Sequence, residues 1–450
     1  MIATDRLTVE AFGRKLRAHE ITAEQMTDEC LRRIDAHNLQ LNAFILVMAD
    51  EARRQAREAD RELAAGLDRG PLHGVPISIK DLFDVRGTAT TAASRVRDGH
   101  HAEHDAPAIA SLRQAGAVLI GKTNLHEFAF GTTNEDSAFG PAHNPYDLAR
   151  SPGGSSGGSA ASLVAGMALA SLGTDTGGSI RIPAAACGAV GLKPTYGEVS
   201  ADGVVPLSRA LDHVGPLTRS VADAWLVYRA LLGDARPRPL APVPVHGLRL
   251  AVPRPYFCDL LDDEVRQRFE AAIDALRAAG AHIHETEIRH ANQIAAIYLH
   301  LVLADAAAYH AATLESMPER YTVPVRLRLE MGRYILAEDY VRALAGREQL
   351  RREVDAALAE RDALVLPTLP IPAPPLGADT LTVGSTAEPV RNLMLRLTQL
   401  FNLTGHPAVA LPTGHTADRL PCSVQLVGAR GQTESLLRAA LACEAQIGYG

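Results

Sequence analysis

The chain has 450 residues, of which 47% are hydrophobic and 22% are charged, the balance of an ordinary globular protein. Its formal net charge of −7 at pH 7 speaks against a basic nucleic-acid-binding surface. We expect neither a membrane span nor a signal peptide, because the sequence contains no run of 18 apolar residues and no apolar stretch near its N-terminus. The five cysteines show no CxxC spacing and predict reduced thiols and a cytoplasmic location.

The predicted elements begin with helices. Residues 8–36 show helical periodicity in two pieces, and residues 47–66 are rich in Ala, Arg and Glu, as in a helix with an exposed face. The alternation of apolar residues in VPISIK then predicts a strand that ends at Lys80. A lysine in that position is usually a surface group with a buried stem, so its local sequence gives Lys80 no special role.

Residues 116–123 match the phosphate-loop pattern GxxxxGK[ST]. In a phosphate loop the four middle residues form the cradle between a strand and a helix. Here those four residues, AVLI, predict the strand itself, and a helix over 105–116 precedes them. We therefore reject nucleotide binding at this segment.

The most unusual stretch runs from Arg150 to Tyr196. Two Gly/Ser-rich loops, GGSSGGS (153–159) and DTGGSIR (175–181), flank an Ala-rich segment that predicts one buried helix followed by a short strand. Glycine is used where the backbone takes unusual angles or approaches another group closely. Two such loops joined by a rigid helix could hold two serine hydroxyls at a fixed separation, which is the geometry of a nucleophilic site.

The same stretch offers a weaker alternative, the nucleophile elbow GxSxG, which matches GGSSG. That motif requires a strand immediately before it, a helix after it, and an acid and a histidine later in the chain. The preceding NPYDLARSP is polar and contains two prolines, so the strand is missing. His213, His406 and His415 are available partners, but none lies in a diagnostic context.

The rest of the chain predicts an α/β architecture. LRLAVPR, DDEVRQRFEAAIDALRAAG and AHIHETEI read as strand, helix and strand, a unit typical of parallel sheets. Residues 291–360 are mostly helical, and the C-terminal part predicts two strands and a helix capped by Thr433. His282 and His284 alternate on a strand without a matching set of Cys or carboxylate residues, so we predict no metal site.

The two loops and the lysine segment resemble the amidase signature family of serine hydrolases. Ser155 and Ser179 are 24 positions apart (179 − 155), as in that family. The resemblance is strong over 41–233, moderate from 367 to the end and weak over 254–361. The matching motifs are GGSSGGS, GTDTGGSIRIPAAACGAVGLKPTYG, HGVPISIKDLFDV, GAVLIGKTNLHEFAFG, SAFGPAHNP, LDHVGPLTRSVADA, NLTGHPAVALP and VQLVG.

The family implies a single α/β domain over 1–450, with a mixed, mostly parallel central sheet wrapped by helices and a signature core at about 70–233. It also implies a catalytic triad in which Ser179 is the nucleophile, Ser155 the bridging serine and Lys80 the base. The peptide bond between Gly154 and Ser155 is cis in the family.

The family's chemistry passes a proton from Ser179 through Ser155 to a neutral Lys80, while Ser179 attacks the acyl carbon. The proton returns to the leaving nitrogen, and water then cleaves the acyl-enzyme. Because lysine has an ordinary pKa near 10.4, such a base needs a lowered pKa, and burial at the end of an apolar strand would supply it. No metal or organic cofactor is implied.

Other residues take supporting roles by the same resemblance. Backbone N–H groups of the nucleophile loop would form the oxyanion hole, where glycines leave the acyl carbonyl unobstructed. Neighbouring side chains would brace the loops rather than take part in the chemistry. The oxyanion-hole residues are Thr176, Gly177, Gly178 and Ser179, and the supporting residues are Gly154, Ser156, Asp175 and Arg181.

Three kinds of family member compete. The first, which we favour, is a free-standing hydrolase of small neutral amides (anilides) and carbamates (urethanes), acting as a monomer or homodimer. The second is the glutamine-hydrolysing component of a tRNA-dependent amidotransferase, which supplies ammonia to a partner. Many such components carry an acid for the amino group of glutamine seven residues before the asparagine of NLTG, where this chain has Leu395 (402 − 7). The third, a non-enzymatic relative, does not fit an intact triad.

We expect the acyl pocket to draw on the weakly recognisable helical region at 291–360 and on the loop that precedes the first Gly/Ser-rich loop. Its apolar side chains are equally consistent with an ordinary helix core. Because this region offers Met and Tyr rather than an obvious charged clamp, it predicts neutral, apolar acyl groups. The candidate substrate-binding residues are Gly131, Thr132, Met317, Tyr321, Met331 and Tyr334.

Overall fold

Short, mostly buried segments form the strands of the computed structural model, which describes residues 6–447. The predicted strand at VPISIK and the predicted strand–helix–strand unit are both present. The strands are β1 (Phe44–Val47), β2 (Pro76–Lys80), β3 (Val118–Thr123), β4 (Ala170–Asp175), β5 (Val190–Lys193), β6 (His213–Thr218), β7 (Arg249–Pro253), β8 (His282–Thr286), β9 (Ala363–Pro367), β10 (Thr380–Val383), β11 (Thr386–Pro389), β12 (Ala408–His415) and β13 (Pro421–Val427).

Helices pack around the strands, and several begin at the capping residues that their sequences offer. Thr22 and Gln25 form a reciprocal capping box at the start of the second helix. The helices are α1 (Val9–Arg17), α2 (Ala23–Leu41), α3 (Ala49–Ala64), α4 (Pro107–Gln114), α5 (Gly157–Val164), α6 (Arg181–Cys187), α7 (Val221–Leu231), α8 (Asp263–Ala278), α9 (Ile294–Ser316), α10 (Val323–Gly332), α11 (Ala337–Leu358), α12 (Val390–Leu395), α13 (Gln399–Thr404) and α14 (Thr433–Ile447).

Eleven of the described strands form one central sheet in the order β1-β3-β2-β4-β6-β5-β12-β13-β9-β7-β8. This confirms the α/β class and the mixed sheet. Among the described pairings of this sheet, four of ten are parallel and six are antiparallel, so the sheet is less parallel than expected. One reason is that β12 and β13 are joined by a short turn, and a hairpin connection makes neighbouring strands antiparallel.

The parallel pairing in the sheet brings the carboxyl ends of β2 and β4 together. β2 pairs in parallel with β4, with Ile79 opposite Leu172. The carboxyl ends of parallel strands lie at the same edge of a sheet, where α/β proteins bind their ligands. Lys80, the last residue of β2, therefore lies beside the loop that follows Asp175 at the end of β4.

Residues 291–360 form the helical layer that the sequence predicts, with α9 packed against α10 and α11. The helical segment Ala291–Ser316 is long and apolar enough to cross a membrane by length and composition, with a mean hydropathy of 1.4 in its most apolar window. Half of that window is buried inside the protein. The core helix of a globular protein passes the same test.

Neither the phosphate loop nor the nucleophile elbow is present as a structural unit. The middle residues of the phosphate-loop pattern lie in β3, and its Lys122 is buried with Nζ 2.6 Å from Oδ1 of Asp81. The GxSxG segment is followed by α5, but no strand immediately precedes it. The structure therefore confirms that neither motif occurs in its required context.

Candidate active site

Lys80 lies fully buried at the carboxyl end of β2. Its Nζ is 2.8 Å from Oγ of Ser155 and 2.7 Å from Oγ1 of Thr174. Burial lowers the pKa of Lys80 from its ordinary value of 10.5 to about 7, although the charges of Asp175 and Asp212 act in the opposite direction. At neutral pH a large fraction of this lysine is therefore uncharged and able to accept a proton.

Ser155 lies in the first Gly/Ser-rich loop, after a cis peptide bond from Gly154. Its side chain is fully buried, and its carbonyl accepts a hydrogen bond from the backbone N–H of His126 at 3.1 Å. A Cβ atom on Gly154 would lie 2.9 Å from the backbone nitrogen of Asn134 and 3.0 Å from the carbonyl carbon of Thr132. Gly154 is therefore required by the close approach of the segment that contains Thr132.

Ser179 lies near the end of the loop between β4 and α6 and is 5% exposed, unlike the fully buried Lys80 and Ser155. Its carbonyl accepts a hydrogen bond from the backbone N–H of Ser156 at 3.2 Å, which ties the two Gly/Ser-rich loops together. The hydroxyl of Ser156 donates to the carbonyl of Thr174 at 3.2 Å. Within residues 6–447 the Ser179 hydroxyl makes no hydrogen bond, so it is available to a substrate.

The loop between β4 and α6, residues 176–180, contains Ser179 and is here called the nucleophile loop. Its backbone is held in place while its N–H groups stay available to a ligand. The Thr398 hydroxyl donates to the Gly177 carbonyl at 2.6 Å. A Cβ atom added to Gly177 would lie 2.4 Å from the Tyr298 hydroxyl oxygen. A Cβ atom added to Gly178, where φ is +142°, would lie 2.3 Å from Oγ1 of Thr398. Among the described residues, the N–H groups of Gly177, Gly178 and Ser179 find no acceptor. They can therefore bind a developing oxyanion.

Beneath this loop lies a fully buried network around Asp175 and Arg181, whose ion pair spans 3.0 Å. Arg181 also donates to Oδ1 of Asn402 at 2.7 Å and to Oε1 of Gln425 at 2.9 Å. Burial opposes ionisation of Asp175, but the Arg181 guanidinium outweighs it and holds the pKa of that carboxyl well below its usual range. The network fixes β4, α6, α13 and β13 relative to one another.

The expected pocket residues separate into two groups. Gly131 packs against the ring of His126, and Thr132 borders Gly154, so both lie next to the Ser155 loop. The other group lies on the helical layer. Met331 is 57% exposed, because α10 turns the opposite face, with Val325 and Leu329, into the core. Tyr334, which follows the end of α10, is 84% exposed.

The remaining two candidates lie nearer the core of the helical layer. Tyr321 is buried, with its hydroxyl 3.0 Å from Nδ1 of His310 and its ring against Phe128. Met317 is half-buried where α9 ends. Tyr321 thus has the environment of a helix-core residue, the alternative that its sequence left open.

Sequence reasoning missed residues that contact the nucleophile loop. Oδ1 of Asp212 accepts a hydrogen bond from the Thr176 hydroxyl at 2.5 Å, and burial raises the pKa of Asp212 to about 6. Asp212 belongs to the matched motif LDHVGPLTRSVADA, which was a signal that could have found it. Tyr298 contacts Gly177 from α9, and its sequence gave it no such role. Leu395 contacts Gly177 from α12, and its position seven residues before Asn402 had already singled it out.

Comparisons with known proteins are consistent with this geometry. The sequence model of the family described as Amidase matches residues 25–437. The chain belongs to the amidase family. Its relatives include an amidase of Pseudomonas putida, 41% identical over 99% of this chain and 97% of that protein. The A-type subunit of the glutamyl-tRNA(Gln) amidotransferase of Anaeromyxobacter sp. (strain K) is 40% identical over 98% of this chain and 96% of that protein.

A solved structure described as a crystal structure of an amidase superposes with a TM-score of 0.93, at 40% identity over 98% of this chain and all of that one. This amidase-family chain is thus a hydrolase of amide C–N bonds with an α/β fold, in which helices flank a large mixed central sheet. Among its described residues, no group of three His, Cys, Asp or Glu side chains could hold a metal ion.

Proposed function

We propose that this amidase cleaves small linear amides, with anilides and aryl carbamates among its substrates, through an acyl-enzyme on Ser179. The observation that carries the proposal is the fully buried Lys80, whose pKa of about 7 and 2.8 Å contact with Ser155 suit a general base. We further propose that the chain works in the cytoplasm, as a monomer or homodimer without a different partner chain.

In the proposed reaction, neutral Lys80 removes the proton of the Ser155 hydroxyl, which removes the proton of Ser179. The Ser179 oxygen bonds to the acyl carbon, and the N–H groups of Gly177 and Gly178 stabilise the negative carbonyl oxygen. The proton returns through Ser155 to the nitrogen as the C–N bond breaks. An aryl amine leaves more readily than an alkyl amine. Water then cleaves the acyl-enzyme along the same proton path and releases the acid.

A second candidate function is the glutamine-dependent supply of ammonia to a partner, which the 40% identity to an amidotransferase component favours. One contact favours the free-standing hydrolase instead. Leu395 occupies the position where the acid of such a component is expected, and its side chain lies against the nucleophile loop, 3.0 Å from where a Cβ of Gly177 would be. An apolar group there cannot pair with the ammonium of free glutamine.

The test is kcat/KM for a neutral anilide, an aryl carbamate and glutamine on one preparation of the chain purified alone. We expect cleavage of the anilide and carbamate and little or none of glutamine. Ser179→Ala and Lys80→Ala should each lower activity by at least about 10³-fold, and Ser155→Ala should be severe with a measurable remainder. Ser162→Ala is the matched control, because among the described residues the hydroxyl of this buried serine on α5 bonds only to the Ser78 hydroxyl and to the carbonyl of Ser159.

Two results would overturn the proposal. Glutamine as the best of the three substrates would favour the amidotransferase function. Full activity of Ser179→Ala together with an inactive Ser155→Ala would make Ser155 the nucleophile.

A further inference from the structure

We propose that Arg391 forms an anion subsite beside the nucleophile loop, and that it binds a carboxylate on the acyl part of the substrate. The inference deepens the proposed function and rests on it, since the subsite is defined by its distance from Ser179. Its preferred substrates would be monoamides of dicarboxylic acids, such as succinyl or glutaryl amides. This carboxylate-bearing substrate class replaces the neutral, apolar acyl group that we expected from the sequence.

The first observation is the orientation of α12. Arg391 and Leu395 are four residues apart on this helix and therefore lie on the same face, about one 5.4 Å turn from each other. The Leu395 side chain is in contact with Gly177 of the nucleophile loop. Arg391 consequently lies one helical turn from the loop in which the acyl carbonyl is bound.

The second observation places the guanidinium against the other side of the site. Nη1 of Arg391 donates to the carbonyl of Phe130 at 3.4 Å, and its guanidinium lies 5.5 Å from the centre of the Phe130 ring. Two residues further along, the backbone of Thr132 abuts Gly154, which precedes Ser155. Arg391 thus lies between the segment beside Ser155 and the loop that contains Ser179.

The third observation is an imbalance of charge. Arg328 donates to the same Phe130 carbonyl at 2.7 Å and lies 3.9 Å from Asp136, which is 3.0 Å from Nε2 of His126. No carboxylate of the described residues lies within ion-pair distance of Arg391. The nearby carboxylate of Asp136 is thus engaged by Arg328 and His126, and Arg391 is left without an ion-pair partner. A cation that is largely removed from water and has no partner is costly.

The surroundings of Arg391 lower its pKa but leave part of its side chain exposed. Burial and, to a smaller extent, the neighbouring Arg328 lower the pKa of Arg391 to about 10, although Tyr298 and Asp136 act in the opposite direction. The group is still charged at neutral pH. Its side chain is nevertheless partly exposed, so a small molecule bound in the surrounding space can reach it. A substrate carboxylate entering that space would supply the missing partner, and Arg can bind it through two parallel hydrogen bonds.

The test measures binding without turnover. In a Ser179→Ala background, the titrated probes are succinanilic acid and butyranilide, which differ mainly in the terminal carboxylate. We expect the acid to bind at least tenfold more tightly. Adding Arg391→Gln should remove that advantage and leave butyranilide binding within twofold, whereas Arg391→Lys should keep part of it.

Arg396→Gln is the matched control, because this arginine follows the same helix but donates to the carbonyl of Tyr256 at 2.9 Å. It should leave both affinities unchanged. Equal binding of the two probes to Ser179→Ala, or equal loss of both on Arg391→Gln, would overturn the inference. If Arg391→Gln fails to fold, the two probes on Ser179→Ala alone still decide. Activity on neutral anilides without a preference for the acid would sink the subsite and leave the proposed function standing.

Discussion

At the scale of single residues, the chemistry proposed for this amidase centres on Lys80. A large fraction of this lysine is uncharged at neutral pH, because it lies buried at the end of an apolar strand. Its contacts are two hydroxyl groups, those of Ser155 and Thr174, which tolerate the neutral amine. A carboxylate in direct contact would have kept the lysine protonated and unable to act as a base.

The first consequence is a pH dependence of activity. Because Lys80 loses its proton as pH rises through its pKa of about 7, kcat/KM on an anilide should rise through neutral pH and level off above about pH 8. A profile from about pH 5.5 to 9.5 measures this. A rate that falls over this range, or that rises only near pH 10, would show that Lys80 is not the base.

The second consequence concerns stability. The folded protein holds Lys80 neutral, whereas the unfolded chain binds a proton up to its ordinary pKa of 10.5, so this residue costs about 4 kcal/mol at pH 7. Lys80→Met removes that cost but also two hydrogen bonds worth about 1 kcal/mol each. We therefore expect the inactive variant to gain about 2 kcal/mol in its free energy of unfolding at pH 7.

Varying the pH tests the sign of the predicted change in the free energy of unfolding. The cost of keeping Lys80 neutral should fall between pH 7 and 10.5, since the unfolded state binds more protons there, and at pH 9.5 it is only about 1 kcal/mol. The gain of Lys80→Met should therefore vanish by pH 9.5. Urea denaturation at both pH values measures it. Lys15→Met serves as the control, because that lysine is 50% exposed in a pair with Glu20. A Lys80→Met variant less stable than the wild type at pH 7 would contradict the argument.

At the scale of elements, the nucleophile loop keeps its shape because four elements meet beneath it. The side chain of Arg181, the first residue of α6, joins Asp175 at the end of β4 with Asn402 on α13 and Gln425 on β13. Each partner lies on a different element, so the network sets where β4 ends relative to the rest of the sheet. The loop itself can then leave its N–H groups without acceptors.

Removing the arginine should therefore unfold the region rather than merely slow the reaction. We expect Arg181→Met to lower the free energy of unfolding by about 3–5 kcal/mol, because it leaves the Asp175 carboxylate buried without its cation. Urea denaturation at pH 7 measures the loss. Arg342→Met is the control: that arginine is 70% exposed and its removal should change stability by less than about 0.5 kcal/mol. A loss for Arg181→Met no larger than for the control would contradict the structural role of the network.

At the scale of the whole molecule, the site is assembled from distant parts of the chain. Lys80, Ser155 and Ser179 come from the signature region, whereas Tyr298 and Arg391 come from α9 and α12. The parallel pairing of β2 with β4 brings the first group together. The close packing of α9 and α12 against the Gly177 loop adds the second.

The sequence by itself determined the signature region and its elements. The Gly/Ser-rich loops, the buried helix and strand between them and the strand that ends at Lys80 all follow from local composition and periodicity. The resemblance to the family then pointed to the triad. These features were accessible because glycine, buried apolar runs and alternation are properties of neighbouring residues.

Only the tertiary structure decided what surrounds those loops. Met331 was expected in the pocket but lies on the exposed face of α10, since nothing in the local sequence says which face packs on α9. Tyr334, just beyond the end of α10, is exposed as well. Arg391 lies on a helix that the sequence did not single out, and its importance depends on contacts with Phe130 and the nearness of Gly177. Such contacts join residues more than 200 positions apart, and burial and charge balance at that range exist only once the chain has folded.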